Sequence, residues 1–309
     1  MERGLIIKST GSFYTVKSDK GEIVLCKIRG KLRIKGIKST NPVSVGDIVL
    51  YDYDVSNQIG LIKEVEERKN YIVRKSINLS KQAHIIAANI DVAFLVVTLS
   101  IPETTSMFID RFLVSAKAYN IPVVILFNKM DAYQEADLER VSFYKELYQS
   151  IGYTCLEVSA LLNKNIERLK ELMKNKTTVF VGHSGVGKTS LVKAINPDFD
   201  LKISSISNIH LTGKHTTTFA EMFEWEPNSY IADTPGIKAF GFVDFKKEEI
   251  SHYFPEIFEA SHQCKFQNCT HSHEPHCFVK ESVEQGNISE SRYYNYIQML
   301  ENNEDEKFR

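Results

Sequence analysis

The spacing of hydrophobic and polar positions changes character twice along this chain. Through residues 1–75, short apolar runs are broken every few residues by turn signals. Gly4-Leu5-Ile6-Ile7, Phe13-Tyr14-Thr15-Val16, Ile23-Val24-Leu25-Cys26 and Asp47-Ile48-Val49-Leu50-Tyr51 read as strands, separated by Ser18-Asp19-Lys20-Gly21 and Val45-Gly46-Asp47. Several short strands in so small a unit predict a compact, OB-like β-barrel. From 76 to 245, apolar strands (92–99, 123–127, 154–159, 178–181) alternate with segments of helical period (110–119, 137–150, 166–173). That alternation predicts a mostly parallel sheet covered on both faces. After 246 the chain turns helical and rich in His, Cys and aromatic residues. The expected architecture is multidomain α/β: a barrel over 1–75, an α/β domain over 76–245 and a helical module over 246–309.

The α/β segment carries the first specific chemistry. Gly182-His183-Ser184-Gly185-Val186-Gly187-Lys188-Thr189 fits G-x-x-x-x-G-K-[ST], follows an apolar strand and leads through Ser190 into a helix-like run. Its glycines let backbone N–H groups turn inward around phosphate oxygens, where the helix N-terminus adds positive potential. Lys188 is expected to reach the β- and γ-phosphates, and the Thr189 hydroxyl to ligate Mg²⁺. Asn128-Lys129-Met130-Asp131 closes another strand, at the end where side chains project into a ligand crevice. The Asp131 carboxylate can accept from N1–H and the exocyclic amine of guanine; adenine would leave it unpaired. Asn128 would tie the loops together, the Lys129 stem would cover the ring, and a backbone N–H of Val158-Ser159-Ala160 could meet O6. Asp233-Thr234-Pro235-Gly236 follows a short apolar run. There Asp233 would hold Mg²⁺, and the Gly236 N–H would sense the γ-phosphate. Between these motifs, Gly213-Lys214-His215-Thr216-Thr217-Thr218 offers Thr217 or Thr218 to close over Mg²⁺.

In ordinary small GTPases the phosphate loop comes first and the base-reading motifs last. Here the base-reading motif precedes the phosphate loop, the threonine switch and the Asp switch, a rotation of the same cycle. This order, with a barrel before it and a Cys/His cluster after it, closely resembles the RsgA family of ribosome small-subunit-dependent GTPases. The likeness extends to Arg29-Gly30-Lys31-Leu32-Arg33, Val45-Gly46-Asp47 and Gly213–Thr218. It implies GTP/GDP and the 30S subunit with its 16S rRNA as partners, and other assembly factors such as ribosome-binding factor A. It further implies late 30S maturation as the process, with slow intrinsic GTP hydrolysis stimulated by the subunit. A monomer working in the cytoplasm is expected.

The position that holds a water-orienting Gln in Ras-like proteins is Ile237, which cannot hydrogen-bond. His215, beside the switch threonines, is the candidate to orient the attacking water; a solvated loop histidine is the alternative.

Cys264, Cys269, His271 and Cys277 put three thiols and an imidazole within fourteen residues. That set suits a closed, structural, tetrahedral Zn²⁺ site. His262, His273 and His276 compete on spacing alone, and the resemblance selects His271. Zinc would supply much of the folding energy of so short a segment, so chelation is expected to unfold it and spare the nucleotide site. Cys26 and Cys155 lie in strand-like runs and read as buried small hydrophobes.

Charge adds one feature. The chain has a formal net charge of −1, yet residues 1–75 hold 15 Lys and Arg against 9 Asp and Glu. Lys27, Arg29, Lys31, Arg33 and Lys35 alternate with smaller or apolar residues, so an extended strand there would line five cations on one face. With Phe13 and Tyr14 close in sequence, that face suits RNA contact; a solvated charged strand is the bland alternative. The longest apolar stretch is too short for a membrane span, and no secretion signal is recognisable. Two other functions remain open on residues alone: an RNA-binding scaffold holding GTP as a structural ligand, and a P-loop kinase or ATPase.

Overall fold

A computed structural model describes residues 1–28, 42–75, 83–199, 220–233 and 246–305. Strands β1 (Glu2–Ser9), β2 (Tyr14–Ser18), β3 (Ile23–Ile28), β4 (Ile48–Asp54) and β5 (Ile59–Val65) run in the order β1-β2-β3-β5-β4, and β4 returns to β1. This is the closed connectivity of an OB-type barrel. Ile6, Tyr14, Val16, Cys26, Val49, Tyr51 and Ile62 fill its interior. Its single parallel pair, β3–β5, is close enough that a Cβ on Gly60 would lie 2.3 Å from Cys26 Sγ.

A hairpin of β6 (Tyr71–Lys75) and β7 (Ala83–Ala88) follows, straddling the point at which the sequence pattern changes. Val45-Gly46-Asp47 joins barrel to hairpin. The Ala88 N–H donates to the Val45 carbonyl at 2.9 Å, and Gly46 takes φ +87° where a Cβ would strike the Ala88 carbonyl. The buried Asp47 carboxylate accepts from Arg68 at 2.6 and 2.7 Å and from the Ser44 N–H at 2.8 Å.

The α/β domain comprises β8 (Val92–Val97), α1 (Ser106–Ala118), β9 (Val123–Phe127), α2 (Glu135–Ser150), β10 (Thr154–Glu157), α3 (Ile166–Met173), β11 (Thr177–Val181), α4 (Lys188–Ile195), β12 (Glu221–Glu226) and β13 (Ser229–Asp233). Strand order is β10-β9-β8-β11-β13-β12, parallel except for β12 against β13. Every residue of β8 is buried, as an apolar run in the middle of a parallel sheet must be. Ala93, Leu95 and Val97 meet α1 and α2 on one face; Phe94 and Val96 meet α3 and α4 on the other. At the far edge β12 pairs with β1 at Glu221 and Lys8, so barrel and α/β domain share one sheet.

After a 3₁₀ segment (Lys247–Tyr253), helices α5 (Pro255–Ser261), α6 (Phe278–Glu284) and α7 (Glu290–Asp305) pack around Phe254, Ile257, Val279, Tyr296 and Leu300. Val114 of α1 lies in the same cluster, so the module is built onto that helix. Among the described residues no helix is long and apolar enough to cross a membrane.

Candidate functional site

The phosphate loop turns between β11 and α4. Gly182, Gly185 and Gly187 take φ of +147°, +83° and +95°, and Cβ atoms on Gly182 and Gly187 would approach Val96 O and Asn128 Nδ2 to 2.4 Å. Only glycine meets both demands. Val186 is buried and anchors the loop, while Ser184, Gly185, Thr189 and Ser190 face solvent. The Lys188 ammonium folds back over the loop, donating to the carbonyls of Gly182 at 2.8 Å and His183 at 2.6 Å.

The base-reading motif meets this loop although 58 residues separate the bonded pair. Asn128 Nδ2 donates to the Val186 carbonyl at 2.8 Å, and the buried Asn128 Oδ1 has no hydrogen-bond partner among the described residues. A buried acceptor of that kind calls for a donor from outside. Lys129 sits in the left-handed region (φ +63°) and its ammonium reaches the Ile101 carbonyl at 2.9 Å. The Met130 N–H bonds the Val158 carbonyl at 3.3 Å. Ser159 is buried; its hydroxyl donates to the exposed Asp131 carboxylate and accepts from the Leu162 N–H at 3.1 Å, with Ala160 next in the chain. The cradle of positive-φ glycines, the ammonium above it and the outward carboxylate on a strand end together fit a guanine nucleotide.

Asp233 ends β13, beside the loop-bearing β11. Gly236, Ile237, His215, Thr217 and Thr218 lie outside the described residues, as do Arg29, Lys31, Arg33 and Lys35. Lys27 is exposed on β3, its ammonium 4.4 Å from the centre of the Phe13 ring.

The segment 98–105, of which the sequence reading took 98–99 as the end of a strand and passed over the rest, forms a third wall. The Leu99 N–H donates to the Tyr133 hydroxyl oxygen at 2.9 Å, and Arg140 donates to the Leu99 carbonyl at 2.7 Å. Pro102 comes within 3.5 Å of where a Gly185 Cβ would stand. Its position after β8, at the crevice end of a parallel strand, was the available signal.

In the C-terminal module the ligand atoms of Cys264, Cys269, His271 and Cys277 lie within 4.8 Å of one another. Cys264 Sγ is 3.6 Å from His271 Nδ1 and 3.9 Å from Cys277 Sγ, and Cys277 Sγ is 3.5 Å from Nδ1. A tetrahedron with Zn–S of about 2.3 Å and Zn–N of about 2.0 Å has edges of about 3.5–3.8 Å, so the residues fit zinc. Burial pushes the Cys269 thiol up to about 12, and a cation would reverse that preference. Tyr293 and Tyr296 donate to the carbonyls of His271 (2.6 Å) and Thr270 (2.8 Å), holding the loop from α7. His262, His273 and His276 are exposed and outside the cluster.

Comparison with known proteins gives this arrangement a family. The profile described as RsgA GTPase matches residues 65–243, and that of the RsgA N-terminal domain matches residues 3–62. A protein of Flavobacterium psychrophilum named small ribosomal subunit biogenesis GTPase RsgA is 54% identical over 99% of this chain and 94% of its own length. A Bacteroides fragilis protein of the same name is 54% identical over 99% of both chains. The crystal structure of YjeQ from Thermotoga maritima superposes with a TM-score of 0.80 at 38% identity, covering 97% of this chain and 98% of that one. YloQ, described as a circularly permuted GTPase, gives a TM-score of 0.76 at 32% identity, covering 99% and 96%. With the order of its motifs and the spatial meeting of residues 128 and 186, the chain belongs to the RsgA GTPase family and is a GTP hydrolase.

Proposed function

We propose that the cleft between residues 128–131 and 182–189 binds GTP, and that its hydrolysis serves biogenesis of the small ribosomal subunit. The Asn128–Val186 hydrogen bond carries this reading, because it sets the strand end 128–131 beside the loop 182–189, as a shared nucleotide site requires. Asp131, oriented by Ser159, accepts from the guanine N1–H and amine; the Ala160 N–H meets O6; the Lys129 stem covers the ring. Inward N–H groups of 182–190 bind phosphate oxygens, and Lys188 meets the β- and γ-phosphates. Thr189 and Asp233, with Thr217 or Thr218, would hold Mg²⁺, which when bound would supply positive charge against the phosphoryl oxygens.

His215 orients the attacking water, and Gly236 senses the γ-phosphate. Since Ile237 cannot assist, turnover is slow in the free protein and rises when it docks on the subunit. Cys264, Cys269, His271 and Cys277 hold a structural zinc. Lys27, Arg29, Lys31, Arg33 and Lys35 contact 16S rRNA. The barrel (1–75), GTPase domain (76–245) and zinc module (246–309) act as a cytoplasmic monomer in late 30S maturation, alongside factors such as ribosome-binding factor A.

GTP hydrolysis measured with and without 30S subunits tests the reading on wild type, Lys188→Ala and His215→Ala. Stimulation by the subunit in wild type, its loss in Lys188→Ala and its reduction in His215→Ala at unchanged GTP affinity are expected. Equal wild-type rates with and without 30S would overturn it.

A further inference from the structure

The phosphate loop has a second neighbour besides Asn128. The His183 ring lies on that of Phe108, with centroids 3.9 Å apart and planes inclined at 35°. Phe108 stands in the first turn of α1, where its N–H donates to the capping Thr105 hydroxyl at 3.3 Å. Burial and the nearby Lys188 charge lower the affinity of His183 for a proton, favouring the neutral ring that packs on an aromatic face.

That first turn and Asp110, which follows it, are held by α7. Asn295 Nδ2 reaches both Ser106 Oγ at 3.2 Å and Asp110 Oδ2 at 2.6 Å. Arg292 donates to Asp110 at 2.6 Å and to both oxygens of Glu256 at 2.7 and 3.1 Å. Asn295, Asp110 and Arg292 are all at most 3% exposed. The same α7 holds the metal loop through Tyr293 and Tyr296.

We propose that Phe108 and Asn295 are positioning residues for GTP hydrolysis: Asn295 fixes the first turn of α1, and Phe108 in turn fixes the phosphate loop through His183. A loop with three positive-φ glycines has little stiffness of its own. Its phosphate-binding N–H groups hold a productive geometry only if neighbours immobilise them. On one side Asn128 does so; on the other, the Phe108 ring and Pro102 do. The zinc-bearing module thereby supports the nucleotide site from behind, through one helix turn and direct contacts throughout. This rests on the reading that residues 182–189 hold the nucleotide.

The test compares wild type with Phe108→Ala, Phe108→Tyr and Asn295→Ala, all zinc-loaded. GDP affinity, the split between KM and kcat, and amide exchange of residues 290–300 with and without GDP are measured. In wild type, GDP slows exchange in α7. In Phe108→Ala and Asn295→Ala, GDP binds about fivefold or more weakly, and the protection of α7 is lost at unchanged zinc content. Phe108→Tyr restores both. A role in stability alone would lower the unfolding midpoint and leave GDP-dependent protection of α7 intact in the folded fraction; that result overturns the proposal. Wild-type protein that fails to bind GDP would instead remove the nucleotide reading beneath it.

Discussion

Asp131 has to be both held and available. Ser159 donates to its carboxylate from a fully buried position, which fixes the direction of the group while leaving it facing solvent. A carboxylate offers acceptors only, so it matches the two adjacent donors on guanine. Asparagine of the same shape presents a donor to a donor and suits xanthine, whose exocyclic carbonyl replaces the amine. Asp131→Asn should therefore bind GTP about 10²–10⁴-fold more weakly, from two charge-assisted hydrogen bonds lost, and gain affinity for XTP. Competition of GTP, XTP and ATP against a labelled guanine nucleotide measures this; retained GTP preference in the variant would sink the assignment. The proposed pairing could be read from the sequence because residue types carry its chemistry. Phe108, Asn295 and Tyr133 were not, since an aromatic or amide acquires its role only from what another element brings against it.

At the scale of elements, α1 is the hub. Sequence periodicity placed it over 110–119, and the helix begins earlier, at Ser106, because the Thr105 hydroxyl caps it by accepting from the Phe108 N–H. Its Asp110 accepts from Tyr148 of α2, Arg292 and Asn295 of α7 in a site closed to water. Desolvation pushes the Asp110 carboxyl up, and the Arg292 guanidinium opposes that shift. Removing the acid leaves Arg292 buried with Glu256 as its remaining carboxylate. Asp110→Ala should destabilise the protein by about 3–5 kcal/mol, read as a lower urea midpoint at constant slope. An unchanged midpoint would mean the network contributes nothing. Other elements escaped the sequence for contrary reasons. β5 carries Gly60 where Cys26 crowds it, and β12 sets three glutamates among Met222, Phe223 and Trp225. Neither has the apolar run that betrayed β8, because β5 lies in a small barrel and β12 is joined at the edge by β1 alone.

Over the whole molecule, the three segments visible in the sequence are not three separate bodies. β1 extends the GTPase sheet at β12, with the Ser9 N–H donating to the Ala220 carbonyl at 3.1 Å, and Val114 enters the core of the C-terminal module. Pattern and composition reveal where a chain changes type, but not how the resulting surfaces meet. The expectation that chelation spares the nucleotide site treated the zinc module as independent, and these contacts lead to a different outcome. Zinc held by Cys264, Cys269, His271 and Cys277 would fix a loop whose carbonyls at 270 and 271 accept from Tyr296 and Tyr293, and the same helix holds Asp110 and Ser106. Chelation should release one zinc per chain and raise amide exchange across 264–300. It should also weaken GDP binding, while barrel strands β1–β5 keep their protection, since their bonds to the rest of the chain run through β12, β13 and the β6–β7 hairpin. Exchange measured after chelator treatment, beside GDP titration, separates the cases. Unaltered GDP affinity with an unfolded module would return the zinc unit to the independent status its sequence suggested.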